Sequence, residues 1–225
     1  MIRNKFMKRN FGVWSKTYGI EWGYELHWKG KTKLTTFQNP TYAYANSQKH
    51  PLQIEIEDFI HPTQNLLLKR LTLSNESKGQ QNVTLLFQQD FDLSNGTAFF
   101  SLSNRSVYQE YDGRYMLFNG LLDEQGISQY TTWQKNDEKD TNLLNLENGS
   151  LFFNPISAGK VKSAFTLETT ILPYEIKHGY YWVAFGEVLD HINDLNELVK
   201  SSPERLVREF IENDFKNEKI IPLSK

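Results

Sequence analysis

The stretch NVTLLFQQDFDLSNGTAFF, residues 82–100, decides the fold. Val83, Leu85, Phe87, Phe91 and Leu93 share one parity, with Gln89 as its polar exception. Thr84, Leu86, Gln88, Asp90 and Asp92 fall between them. Successive side chains of an extended chain point to opposite faces, so this alternation reads as a half-buried β-strand and not as a helix. Ser94, Asn95 and Gly96 then supply turn chemistry before a second run begins.

Working outward, the period of two recurs. Ile20, Trp22, Tyr24, Leu26 and Trp28 make an aromatic face, and Leu52, Ile54 and Ile56 a smaller aliphatic one. Leu67, Leu71 and Leu73 continue the pattern with Lys69 interrupting it, and Val161, Ser163, Phe165, Leu167, Thr169 and Ile171 repeat it late in the chain. Turn clusters at Asn39-Pro40, Ser74 to Gly79, Asp112-Gly113 and Asn119-Gly120 separate these runs. Asp112-Gly113, between VYQEY and RYMLF, predicts a tight hairpin. Gln134 to Ser150 is polar and poor in β-branched residues, which predicts a long surface loop with room for one short helical turn.

The period changes near Glu187. Val188, Leu189, Ile192, Leu195, Leu198 and Val199 stand at helical spacing. SSPERLVREFIENDF follows, with Ser201 and Glu204 at capping-box spacing, Pro203 early in the helix, and Leu206, Val207, Phe210, Ile211 and Phe215 as one apolar stripe. The sequence therefore predicts a mainly β protein: an antiparallel two-sheet sandwich over residues 1–186 and a helical extension over 187–225.

Composition narrows the function classes. The 225 residues are 39% hydrophobic and 14% aromatic, as a packed protein requires. A net charge of −2 gives no electrostatic case for nucleic acid or an anionic membrane. The absence of cysteine removes disulfides, thiolate zinc sites and a cysteine nucleophile, so packing alone must hold the fold. The basic N-terminal residues are not followed by an apolar run, so neither a signal peptide nor a membrane span is expected. Zero cysteine suits the cytoplasm, with secretion left open.

Asp90 and Asp92 are the first residues to test for chemistry. Two apart on a strand, they lie on one face about 6–7 Å apart at Cα. Three readings compete. Oxygen ligands for a hard cation need more carboxylates than the neighbourhood offers. A catalytic pair must flank its scissile bond, which adjacent same-face acids do poorly. The polar face of an ordinary strand requires nothing special, and it leads. The five histidines, His27, His50, His61, His178 and His191, show no zinc-ligand spacing. No Gly-x-Ser-x-Gly elbow or P-loop occurs. No metal or cofactor site is expected.

Aromatic residues are the strongest positive signal. Exposed rings stack on the apolar faces of sugars, and nearby Asp, Asn and Gln bind the hydroxyls. Aromatics also favour strands, and most of them face a core. Trp182, in YYWVAFG, reads as core, whereas Trp133, beside the long loop, is open to either role. Gln88, Asp90, Asp92 and Trp133 are the candidate carbohydrate-binding residues.

Several segments, in order along the chain, resemble the N-terminal β-sandwich of bacterial and archaeal glucoamylase-type enzymes, glycoside hydrolase family 15. They are FGVWSKTYGIEW, FQQDFDL with GTAFF, YDGRYMLFNG, ISQYTTWQK, FFNPISAGKVKSAFTLETTI and GYYWVAFGEVLDHINDLN. Asn154, Pro155, Ile156, Gly159, Val161 and Ser163 stand in the family's register. The resemblance implies a super-sandwich of the galactose-mutarotase-like type. In the family it packs beside an (α/α)6 barrel whose two glutamates hydrolyse α-glucosidic bonds with inversion. The family's opening strands and the barrel have no counterpart in these residues, so no catalytic glutamate carries over. On this resemblance Asp90 and Asp92 become structural or interface residues of an accessory domain.

The leading expectation is a non-catalytic N-terminal domain of a glucoamylase-like hydrolase of α-glucans or α-glucosides. Phe210, Ile211 and Phe215 would face the catalytic barrel or a split-gene partner. Without that partner, the stripe and an open sheet edge would drive self-association. The second expectation is a free-standing carbohydrate-binding module for an α-glucan or oligosaccharide. The third is a small mutarotase-like enzyme, which would need His61 and Asp90 to converge in one cleft.

Overall fold

The computed structural model describes residues 11–15, 18–20, 33–36, 42–46, 52–61, 64–90, 95–134, 144–145 and 150–218. In chain order the strands are β1 (Phe11–Ser15), β2 (Tyr18–Ile20), β3 (Lys33–Thr36), β4 (Tyr42–Asn46), β5 (Leu52–Ile60), β6 (Leu66–Asn75), β7 (Gln81–Asp90) and β8 (Gly96–Ser101). They continue as β9 (Ser106–Tyr111), β10 (Arg114–Leu122), β11 (Gln129–Gln134), β12 (Leu144–Asn145), β13 (Ser150–Leu151), β14 (Ile156–Gly159), β15 (Val161–Ile171) and β16 (Ile176–Gly186). Helices α1 (Leu189–Ser201) and α2 (Pro203–Glu218) follow.

The strands form two large antiparallel sheets. One runs β11-β15-β7-β1-β2, the other β14-β8-β9-β10-β16-β6-β5-β4-β3, and β12 pairs with β13 apart from both. The inward rows meet in one core. Val83, Leu85 and Phe87 of β7 and Phe165 and Leu167 of β15 face Leu71 and Leu73 of β6 and Tyr181 and Val183 of β16. The rings of Phe87, Tyr181 and Phe165 cluster, Phe87 standing 4.7 Å from Tyr181 and 5.0 Å from Phe165, and the latter two 6.0 Å from each other. The alternation in residues 82–90 is thus a core row and an outer row, as read from the sequence. Phe91, Asp92 and Leu93 lie outside the described residues, as does most of the Ile20–Trp28 face.

A third layer covers part of the larger sheet. Leu66, Leu68, Leu117, Trp182 and Ala184 point away from the sandwich core and pack under Ile192, Leu195 and Val199 of α1 and Leu206, Val207 and Phe210 of α2. β16 is therefore buried on both faces, which is why YYWVAFG reads as a continuous apolar run. Through this layer the stretch from Ile192 to Ile211 packs on the larger sheet.

Two sequence expectations are corrected. Asn119-Gly120 is not a turn but the middle of β10. A Cβ on Gly120 would sit 2.8 Å from Leu167 Cδ1 and 2.9 Å from the Tyr180 carbonyl, so the glycine serves close packing between the sheets. Ser201 and Glu204 do not form a capping box. Ser201 ends α1, where its hydroxyl donates to the Leu198 carbonyl, and Glu204 instead accepts from the Tyr180 hydroxyl. Asp112-Gly113 is a two-residue hairpin turn with φ of 50° and 71°, as expected of that pair.

Candidate functional site

The residues singled out from sequence divide between the two sheets. On the smaller sheet, register places Trp133 of β11 beside Lys162 of β15, and Lys162 beside Asp90 of β7. The next row on the same face is Thr131, Ala164 and Gln88. Gln88, Asp90 and Trp133 thus share one face across three adjacent strands, while Asp92 lies outside the described residues. This face is packed. Lys162 is only 3% exposed, and its ammonium stands 5.9 Å from the Trp133 ring centre, within cation–π range. The Trp133 indole Nε1 is buried, and Gln88 is half-buried.

Gln89, the exception in the apolar row, has a partner network inside the sandwich. Its Oε1 accepts from Ser163 Oγ at 2.8 Å, and Gln109 Nε2 donates to that Oγ at 2.8 Å. The Tyr111 hydroxyl donates in turn to Gln109 Oε1 at 3.3 Å. Buried polar groups persist where they bond to each other.

The helical layer is fixed by a polar seam as well as by apolar packing. Asn196 of α1 is fully buried, and its Oδ1 accepts from Trp182 Nε1 at 3.1 Å and Asn119 Nδ2 at 3.0 Å. Asn119 Nδ2 also donates to Ser106 Oγ at 2.7 Å. One turn earlier, Asn193 Oδ1 accepts from the Tyr108 hydroxyl at 2.7 Å and from Asn104 Nδ2 at 3.1 Å. Burial raises the Tyr108 phenol above its ordinary pKa.

α2 is held by rings and by a charged clamp. Phe210 stacks on Phe59 at 5.9 Å and meets the edge of His61 at 5.4 Å. Arg70 reaches Glu57 at 2.6 Å and Glu204 at 3.7 Å, and Tyr180 donates to Glu204. Burial and the Glu204 carboxylate together push the Tyr180 phenol well above its ordinary pKa. The expectation that Phe210 and Ile211 face a second domain is corrected by this packing. Phe210 is 6% exposed, and Ile211 packs beside it on the chain's own sheet. Phe215 lies in α2, but its side chain is outside the described set.

His61 and Asp90 belong to different sheets. His61 follows β5 of the larger sheet, where its Nδ1 accepts from the Gln64 amide at 2.9 Å, while Asp90 ends β7 of the smaller sheet. A different cluster, missed in the sequence, stands on the outer face of the larger sheet beside α2. Register sets His178 of β16, Thr72 of β6 and Glu55 of β5 in one row, with the Tyr44 position of β4 completing it. His178 Nδ1 lies 3.3 Å from Thr72 Oγ1. The next row is Tyr180, Arg70 and Glu57, closed by Glu204. The alternation of Glu55 and Glu57 with Ile54 and Ile56 marks the outer face in the sequence. Nothing local says that His178 arrives beside it from more than a hundred residues away. Among the described residues no three His, Cys, Asp or Glu gather as metal ligands, and no helix is long and apolar enough to cross a membrane.

No protein family matches the sequence, and no curated protein matches it. Some solved structures are similar to it. A bacterial glucoamylase in complex with acarbose superposes with a TM-score of 0.61 at 10% identity, covering 90% of this chain and 30% of its own. A polysaccharide lyase gives 0.49 at 11% identity over 84% of this chain and 27% of its own. A protein described as a kojibiose phosphorylase from the human microbiome gives 0.43 at 10% identity over 73% of this chain and 20% of its own. This chain therefore spans about a third of the glucoamylase's length and carries the β-sandwich fold found in that larger enzyme.

Proposed function

We propose that this chain is a non-catalytic β-sandwich domain of a larger, glucoamylase-like enzyme acting on α-glucans or α-glucosides. It packs against and supports an (α/α)6 catalytic barrel. The observation that carries the reading is the match to the glucoamylase, which takes in nearly all of this chain and less than a third of the enzyme. The ordered segments from FGVWSKTYGIEW to GYYWVAFGEVLDHINDLN, which resemble family 15, support it independently of the superposition.

The test is association. The purified chain, mixed with the glucoamylase-type barrel of the same source, should co-elute with it and raise its thermal midpoint. A barrel that folds, turns over maltotriose and ignores the chain would overturn the reading. Left alone, the chain should self-associate through exposed apolar residues at its edge. Phe152 and Phe153, just before the edge strand β14, are 68% and 71% exposed, and Ile156 at the start of that strand is 61% exposed. Light scattering should give a mass above that of a monomer, and a clean monomer contradicts this part.

A second reading, a free-standing carbohydrate-binding module, is favoured by one observation. Gln88, Asp90 and Trp133 stand on one face of three neighbouring strands, with Asp92 continuing their side of the sequence pattern. Titration with maltooligosaccharides should then quench Trp133 fluorescence, and an unchanged spectrum removes the reading.

A further inference from the structure

We infer that the open half of the larger sheet's outer face is a binding site for a neutral saccharide, centred on His178, Thr72 and Glu55. The inference rests on the carbohydrate reading of the fold but assigns the ligand to a face that reading does not use. The helices cover only the end of this face that carries Trp182, Leu68 and Phe59. Among the described residues, neither the row His178, Thr72 and Glu55 nor the row Ile176, Ser74 and Gln53 beyond it belongs to the cluster packed under the helices. His178 is exposed, and Thr72 and Glu55 are half-buried.

The chemistry of the row selects the ligand. The neighbouring carboxylate, Glu57, is taken by Arg70, whereas among the described residues no cation or donor is bonded to Glu55 one row away. A carboxylate accepts only, so Glu55 calls for donors, and the hydroxyls of a sugar are donors without charge. The Thr72 hydroxyl fixes His178 through Nδ1 and leaves Nε2 directed elsewhere, able to donate or to accept. Apolar surface lies at the rim, where Ile176 is 59% exposed. The Tyr44 position falls beside Glu55 in the ladder. Hydrogen-bonding groups of both kinds beside apolar surface suit a pyranose, which has hydroxyls at its edge and C–H groups on its faces. A phosphate or an acidic sugar would meet Glu55, Glu57 and Glu204 with Arg70 already paired, so an anion is disfavoured.

The experiment is a backbone and imidazole NMR titration of the full chain with maltotriose, isomaltotriose and glucose-1-phosphate as separate probes. The neutral trisaccharides should shift His178, Thr72 and Glu55 saturably, with a Kd of about 1–10 mM, the range for a shallow face making a few hydrogen bonds. Glu55→Gln and His178→Ala should each weaken binding by roughly tenfold, the size of one hydrogen bond to a charged group, with unchanged thermal midpoints. Glucose-1-phosphate should not bind. No saturable shift with either trisaccharide overturns the inference, as does a response confined to Trp133 and Gln88 or one that survives both substitutions. Barrel association measured with the same variants separates the two proposals. Its persistence without sugar binding overturns only the site, and sugar binding without association overturns only the domain reading.

Discussion

Asn196 has a single side-chain oxygen, and two buried donors converge on it, Trp182 Nε1 and Asn119 Nδ2. Replacing it with leucine leaves the indole without an acceptor. A buried donor stranded in this way costs roughly 1–3 kcal/mol, and the second weakened bond adds to it, so Asn196→Leu should lower stability by about 2–3 kcal/mol. Urea unfolding should show the midpoint falling at constant slope, and a neutral result would mean that the seam contributes nothing net. The seam also explains why single residues misled the sequence reading. Asn-Gly is the strongest short hairpin signal, yet Asn119 and Gly120 lie in mid-strand, one reaching up to α1 and the other admitting Leu167 and the Tyr180 carbonyl. Both demands come from elements distant in sequence, and no local pattern carries them. Gln89 is similar: its polarity inside an apolar row makes sense only once Ser163 and Gln109 are beside it.

Among the elements, α2 is the one whose docking can be tuned. Its apolar stripe was legible at 3.6-residue spacing, but its partner was not. Burial of Phe210 against Phe59 and His61 shows that the chain's own sheet receives it. Phe210→Ala should cost about 3 kcal/mol. Hydrogen exchange should quicken in α2 well before β6 or β15, and uniform quickening would contradict a separately docked helix. His61 adds a pH dependence. Burial lowers its pKa from the ordinary 6.5, opposed by the nearby Glu209 carboxylate, so the folded state binds its proton less readily than the unfolded chain. The contribution is intact above pH 6.5. It declines as pH falls below 6.5 towards the lower folded-state value, and it levels off beneath that value. His61→Gln should flatten that part of the stability profile, and an unchanged slope would assign it to other groups.

For the whole molecule, the two sheets and the two terminal helices were legible because each strand face and each helix stripe is periodic over many residues. What the period cannot give is which strands neighbour which. The candidate site suffered from that gap. Gln88, Asp90 and Trp133 do share a face, yet it is a packed one, with Lys162 beneath the Trp133 ring. The open row of His178, Thr72 and Glu55 is assembled from three strands and needed their register to be seen. The most direct measurement is glucose release from maltotriose by the purified chain alone, over a range of protein concentrations. The expected result is none above buffer, with release appearing only when a catalytic barrel is supplied. Glucose production in proportion to this chain, with no other protein present, would contradict the claim that its fold serves an enzyme whose working acids lie elsewhere.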